Sequence, residues 1–420
     1  MKNTVVIKQH IIYKALFLSV LLLCTIGYMH EMLSPYLKFF FIYGVGILIY
    51  DFIKGRRIWR DKSLWIFVGF LAIYWICCAV NADEYFVRNI KGLAYMGLFA
   101  LTLYANEGDE EDVIAEGQIL ARFTLVILFA MSLTCLVTYL TADSFVYEVS
   151  DGVLGFVGEL DGRMCGLVYF NTGGAIYAIM ILLAAGILVC GKCGSLMKVF
   201  AIVSILLGAV CSALAYSRTS IAAAAVTIII GVIVLLPQYC TKLGDGYKKF
   251  ERILFAICCG VAVSGALTFF VIGQPAFDLI NGIFTGRLSI WKEGLRVFAA
   301  HPLLGVGNEG IVGMLHVPSL LSWESGGLHS LYINVLVASG ILGAAALTAF
   351  SVYNYIACRK LFKNPDRESI VAALLVLEIL VMEIAETRVL FRAEFFGAVL
   401  FLALGYIKAR ARCLEEKNDI

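Results

Sequence analysis

Gly286-Arg287-Leu288-Ser289-Ile290-Trp291 opens the longest polar interruption of an otherwise apolar chain. His329-Ser330, followed by nine residues and then Gly340-Ile341-Leu342-Gly343, closes it. On either side the sequence is a succession of apolar spans and short connectors, which sets the class as a membrane-embedded helix bundle. The loop between is where chemistry has room to occur. An arginine holds a phosphate as a bidentate fork, and a neutral histidine takes up a proton. Such a pair on one side of a bilayer points to transfer from a phosphate-activated lipid rather than to a soluble enzyme.

Composition agrees. Of 420 residues, 61% are hydrophobic and 15% charged, and mean hydropathy is +0.89, too apolar for a water-soluble domain. A formal net charge of +2 marks no nucleic-acid binder. Apolar runs of about 15–22 residues recur along the whole chain, as bilayer-crossing helices require. They centre on Leu22, Val45, Leu71, Leu98, Ile127, Ile179, Leu206, Ile229, Val261, Leu342, Val376 and Phe401. The expected fold is all-α: one polytopic transmembrane bundle of about twelve helices over residues 1–420. It carries a smaller outer loop at 141–166 and a large one at 274–328 with short surface helices. Lys2, Lys8 and Lys14 before the first apolar run resemble a signal sequence, but no small-x-small site follows near Tyr28, so the run reads as a retained helix.

Orientation follows from the basic residues. With the N-terminus inside, the inner connectors hold Lys54, Arg56, Arg57, Arg60, Lys62, Lys192, Lys198, Lys242, Lys248, Arg359, Lys363 and Arg367, and the tail adds Lys408, Arg410 and Arg412. Outer loops hold fewer, which places both termini in the cytoplasm. The connector Asn106 to Gln118 is acidic, and acidic residues contribute little to orientation. Seven of the thirteen cysteines lie within apolar spans as small hydrophobes. Cys190-Gly191-Lys192-Cys193 lacks a second pair or a nearby His, so it does not read as a metal or redox site.

The outer face carries the informative side chains. Arg163 ends the smaller loop, and Asn171 opens the next span; anchoring or helix bridging would explain them structurally. Arg218 occupies a very tight outer turn, Ala215-Tyr216-Ser217-Arg218-Thr219-Ser220. It could snorkel to headgroups, yet an Arg there runs against the positive-inside bias and favours function. In the large loop, Leu288, Trp291, Leu295 and Phe298 form one apolar stripe of a surface helix that His301-Pro302 ends. Gly305-Val306-Gly307-Asn308-Glu309-Gly310 matches G-x-G-x-x-G without a preceding strand, so it reads as a tight turn rather than a dinucleotide site. His329 begins the tenth span among Ser330, Tyr332 and Asn334, and Gly340 and Gly343 permit close packing further on. The eleventh span contains Glu378, Glu383 and Glu386 in an apolar run, and ionisable groups at that depth are functional candidates. Glu386 pairs with Arg388 or Arg392 in the structural version; Glu383 would share its cavity.

Together, Arg163…Asn171, Ser217-Arg218-Thr219, Gly286-Arg287…Trp291, His301-Pro302-Leu303-Leu304-Gly305-Val306-Gly307 and His329-Ser330-x9-Gly340-x-x-Gly343 resemble the O-antigen ligase and polymerase superfamily. The likeness runs from about Arg163 to Gly343, and the last motif reproduces the H-[N/S/Q]-x9-G-x-x-[G/T/Y] pattern of the ligase branch. The resemblance implies glycan transfer on the outer face of a bacterial cytoplasmic membrane from a polyprenyl-diphosphate carrier, with no metal or other cofactor. It implies that Arg218 and Arg287 hold the diphosphate and that His329 activates the acceptor hydroxyl. Arg163, Asn171, Glu383, Glu386 and Arg388 are the further donor- or acceptor-binding candidates. The partners implied are the lipid-linked donor, a glycan, lipid or protein acceptor, and membrane lipid. A repeat-unit polymerase of the same superfamily is the alternative. A secondary transporter is the remote one, since carriers usually show two related halves and this chain shows no internal repeat.

Overall fold

In hydrocarbon every backbone N–H and C=O must be satisfied within the chain, so apolar stretches of this length fold as helices. The computed structural model describes residues 2–53, 61–81, 85–105, 108–150, 153–191, 193–239, 274–315, 327–359, 361 and 366–418. Helix α1 is Lys2–Leu23, α2 is Gly27–Leu33 and, after a 3-10 turn at Ser34–Tyr36, α3 is Leu37–Ile53. Next come α4 (Lys62–Val80), α5 (Phe86–Leu98, continued by a π-helical turn to Tyr104) and α6 (Glu110–Thr141). Strands β1 (Phe145–Ser150), β2 (Val153–Leu160) and β3 (Arg163–Gly166) precede α7 (Phe170–Cys190), α8 (Ser195–Ala215) and α9 (Arg218–Tyr239). Residues 274–315 contain α10 (Gln274–Ile283), α11 (Arg287–Ala300) and α12 (Ile311–Met314). The chain closes with α13 (Leu331–Cys358), α14 (Arg367–Met382) and α15 (Phe395–Asn418).

Six stretches among the described residues are long and apolar enough to cross a membrane: Gly27–Tyr50, Lys62–Val80, Glu110–Thr141, Phe170–Cys190, Ser195–Ala215 and Leu331–Cys358. His10–Leu23 and Arg218–Val232 are shorter apolar helices. The span expected at Val261, Cys258 and Cys259, and His316 lie outside the described residues.

Helix starts follow local chemistry. Asp61, Asp109 and Asp366 each accept a backbone N–H of the first turn, satisfying donors that a helix leaves open. The Asp109 cap, with Glu110, Glu111 and Asp112 in the first turn, starts α6 inside what reads in sequence as an acidic connector. The first helix ends at Leu23, one residue beyond its expected centre at Leu22, because the chain turns at Cys24–Ile26. The smaller loop is a three-stranded antiparallel sheet, order β1-β2-β3, with Phe145 opposite Val157 and Leu160 opposite Arg163. That sheet is the exception to an all-α expectation.

The core is aromatic. Phe67 packs on Phe350 and Phe401 at centroid separations of 5.0 and 5.4 Å. Ile42, Ile49, Ile202, Leu206 and Ile229 remain exposed, as lipid-facing side chains of a bundle are. α7 packs on α8, α4 on α13, and α14 on α7, α9 and α15. At one end of the bundle Arg410 bridges Glu110 (2.7 Å) and Asp366 (2.9 Å), and Lys408 lies 3.6 Å from Asp61. Lys14, a signal-like charge in the sequence, is instead buried 2.5 Å from Glu116 of α6. The opposite end holds the loops and the residues singled out above.

Candidate functional site

A break in α13 organises this end. Gly340 has φ 64 and ψ −169 in the middle of the helix, a conformation essentially closed to residues with a Cβ. The break frees backbone groups, and the segment His301–Gly307 fills it as a strap. Val306 N–H donates to Val337 O (3.0 Å) and Gly307 N–H to Ala338 O (2.9 Å). From the other side, Ile341 N–H donates to Pro302 O (2.9 Å) and Leu342 N–H to Leu303 O (3.3 Å). Gly305 and Gly307 take φ 70 and 77 to follow the helix so closely. Asn81 Nδ2 donates to Gly305 O at 3.1 Å, tying the strap to the end of α4. The Gly-rich segment is therefore a strap bound to a helix, where the sequence reading had only a tight turn. Gly340 serves strap insertion, while a Cβ on Gly343 would overlap Ser339 Oγ and Cβ of its own helix and only touch the Phe70 ring of α4, at 3.6 Å.

The strap and α11 bring His329 and Arg287 together. Arg287 opens α11 behind Gly286 at φ 80. The buried face of α11 is Ile290, Gly294 and Val297, with Leu288 beside it, set against α13. It is offset from the expected stripe because the helix packs on protein rather than lying on a membrane surface. Trp291 Nε1 donates to Leu328 O at 2.9 Å. Leu331 N–H donates to both Glu383 O and Glu386 O at 2.9 Å. His329 lies between these two anchors at φ 47, a strained backbone position for a non-glycine residue. It therefore precedes α13, whose N-cap is Ser330, instead of beginning it. Glu383 and Glu386 likewise lie past the end of α14, in the irregular segment 383–394, because the helix stops at Met382.

Glu386 is the meeting point. Its Oε1 is 2.9 Å from Arg287 Nη2, and its Oε2 is 3.3 Å from Arg388 Nη2 and 3.5 Å from His329 Nδ1. Arg287 Nη1 donates to Thr219 Oγ1 (3.2 Å), next to Arg218, and Arg388 Nη1 donates to Thr172 Oγ1 (2.6 Å), next to Asn171. Arg388 N–H donates to both carboxylate oxygens of Glu383, at 3.1 and 2.9 Å. Burial raises the Glu386 carboxyl, but Arg388, His329 and Arg287 outweigh it and hold it at about 2, ionised at neutral pH. Glu383 and Glu394 shift upward, chiefly because both are buried. Asn171, Ser220, Glu383, Glu386 and Arg388 line a cavity of ≈ 10 Å³, about the room one water needs.

The other candidates border this cluster. Arg218 is exposed at the start of α9, 6.0 Å from the Tyr216 ring, and makes no ion pair among the described residues. Tyr216 at φ 44 gives α8 and α9 their tight turn. Asn171 Oδ1 accepts from Ser217 Oγ at 3.2 Å. Arg163 stacks over the Phe170 ring at 4.6 Å, with no ion pair to the cluster among the described residues. Arg392 faces Glu309 at 3.6 Å rather than Glu386. Glu378 remains within α14, 1% exposed. Sequence reasoning gave Thr172 and Thr219 no role, though Thr219 stands in the Ser217-Arg218-Thr219 motif and Thr172 follows Asn171. It also missed the network beneath the strap, where Asn334 Nδ2 donates to Asn308 Oδ1 (2.8 Å) and Tyr74 OH to Asn89 Oδ1 (3.0 Å). Asn334, a polar group near the start of an apolar span, was the signal for it; Asn89 stands between Arg88 and Lys91, where a polar residue draws no notice.

A family model described as O-Antigen ligase matches residues 202–348. The window takes in Arg218, Arg287, His329 and the Gly340 break and stops before Glu383–Arg388. Over 327 residues, 73% of this chain and 67% of the relative, the sequence is 25% identical to the exopolysaccharide production protein ExoQ of Rhizobium meliloti (strain 1021).

Proposed function

We propose, for a chain that is a member of the O-antigen ligase superfamily, that it transfers a polyprenyl-diphosphate-linked glycan to an acceptor hydroxyl on the outer membrane face. The observation that carries this reading is the convergence of Arg287 and His329, from the two ends of the large loop, on Glu386. Arg287 and Arg218 hold the donor diphosphate and neutralise the charge that grows on it as the bond breaks. The acceptor oxygen bonds to the anomeric carbon while the carbon–oxygen bond to the diphosphate breaks. Polyprenyl diphosphate leaves with the electron pair, and the hydroxyl proton passes to His329, whose side chain is 24% exposed and so reachable. One displacement inverts the anomeric centre.

The basic residues support the orientation. Lys62, Arg359, Arg367, Lys408, Arg410 and Arg412 lie at the bundle end opposite the site, which favours a cytoplasmic placement of that end and an outward-facing site. Lipid-linked donor, membrane lipid and a glycan, lipid or protein acceptor are the partners of this reaction.

A repeat-unit polymerase is the second reading, favoured by the similarity to a protein named for exopolysaccharide production. Purified protein given lipid-diphosphate glycan and a panel of acceptors, with products sized, separates the two. One discrete addition identifies a ligase; a ladder of repeats identifies a polymerase. Donor consumed by neither route would sink both.

A further inference from the structure

Glu386 touches the two groups that the transfer reaction needs, through different oxygens. Oε1 faces Arg287, and Oε2 faces His329 and Arg388. We infer that Glu386 is a place-holder and positioning residue: without donor its carboxylate occupies Nη2, one prong of the phosphate-gripping Arg287 fork whose Nη1 donates to Thr219, and donor binding displaces it wholly onto His329 and Arg388. This rests on the proposed transfer reaction.

Three features support it. A guanidinium fork accepts carboxylate and phosphate oxygens alike, so a buried carboxylate is a fitting stand-in for the diphosphate. The backbone around Glu386 is pinned, because the Glu383 and Glu386 carbonyls both accept from Leu331 N–H. Exchange therefore needs only the side chain to turn, and the small cavity lined by Asn171, Ser220, Glu383 and Arg388 lies beside it. Finally, the contact at His329 is through Nδ1. A carboxylate there favours the tautomer with the proton on Nδ1, which leaves Nε2 as the acceptor of the substrate proton. A place-holding anion opposes donor binding and a positioning anion assists turnover, so its removal should move the two in opposite directions.

The test is Glu386→Gln, of nearly the same shape without the charge, alongside Glu386→Asp. Binding of polyprenyl diphosphate to the purified protein is measured directly, and transfer is followed in single turnover. Glu386→Gln should bind the lipid diphosphate more tightly, by on the order of 3–10-fold, as expected for losing one competing charge at a partly open site. Its turnover should fall by roughly 10-fold or more, part of the loss expected when base catalysis fails. Glu386→Asp should bind like the wild type and recover part of the rate. A carboxylate that only holds the fold would lower binding, turnover and thermal stability together, and that outcome overturns the inference. So would wild-type turnover in Glu386→Gln. If Glu386→Gln fails to fold, Glu386→Asp decides, and parallel loss of binding and rate there is again the contrary result. Two controls separate this inference from the transfer reading: normal turnover by His329→Ala would move the base elsewhere and remove the role given to Glu386 at His329, whereas a wild type that transfers glycan to no acceptor would defeat the transfer reading itself, whatever Glu386 does.

Discussion

Replacing Gly340 by Ala puts the largest load on the smallest change. At φ 64 and ψ −169 an alanine is strained by about 1–3 kcal/mol before any contact is considered. A Cβ there would overlap the carbonyl carbon and oxygen of Leu303 and press on Leu304 N at 2.5 Å. All three are backbone atoms, so no rotamer change relieves the clash and the strap must withdraw. Withdrawal breaks some of the four hydrogen bonds between strap and α13; losing two, at about 0.5–1.5 kcal/mol each, adds about 1–3 kcal/mol. The sum is about 2–6 kcal/mol, a large part of a typical folding stability of about 5–15 kcal/mol. The assay is thermal unfolding of the purified protein in detergent with glycan transfer measured on the surviving fraction. Gly46→Ala, with nothing within 4 Å of its Cβ, is the reference, and Gly343→Ala, whose Cβ meets only the Ser339 side chain and the Phe70 ring edge, should fall between. Gly340→Ala unfolding and transferring like the wild type would refute the strap as the element that shapes the site.

Three further outcomes are expected. A cysteine at Ser319 should react with an impermeant thiol reagent in intact cells and one at Asp245 only after lysis; reversed labelling would put the site on the other face. Arg287→Lys and Arg218→Lys keep the charge but lose the fork, so transfer should drop at matched membrane abundance; full activity in both would leave these residues as headgroup anchors. Lys14→Met leaves Glu116 charged and buried and should cost about 3–5 kcal/mol, whereas Lys14→Met with Glu116→Leu should recover most of it. A double-variant loss equal to the sum of the Lys14→Met and Glu116→Leu losses, read by thermal unfolding, would show that the two charges act independently.

How far the sequence carries this site depends on what each residue needs. The helical class was legible because a bilayer leaves long apolar runs few other choices. Arg287 and His329 stood out as candidates at the two ends of one polar stretch, and both approach Glu386. Arg388 was less so, since Arg388 and Arg392 were equivalent local partners for Glu386, and only the turn after Met382 aims Arg388 at Glu386. The strap was not legible. Gly305-Val306-Gly307 reads as a turn from local residues alone, and its pairing partners Val337 and Ala338 are more than thirty positions away. The buried stripe of α11 was misplaced for the same reason: Ile290, Gly294 and Val297 face α13, a surface that periodicity cannot see. Lys14 was read by its neighbours in sequence, while its partner Glu116 lies on another helix.

The most direct test of the central claim is the turnover of His329→Ala in purified form, with polyprenyl-diphosphate-linked glycan and an acceptor that the wild type accepts. His329 is held between the Leu328 and Leu331 anchors, so truncating its side chain should leave the backbone and the Arg287 fork in place. Donor should bind as in the wild type while turnover falls by roughly 10²–10⁴-fold, the scale of losing a general base. His301→Ala, at the exposed end of α11, should turn over normally. Transfer by His329→Ala at the wild-type rate would contradict the assignment and move the base to another group.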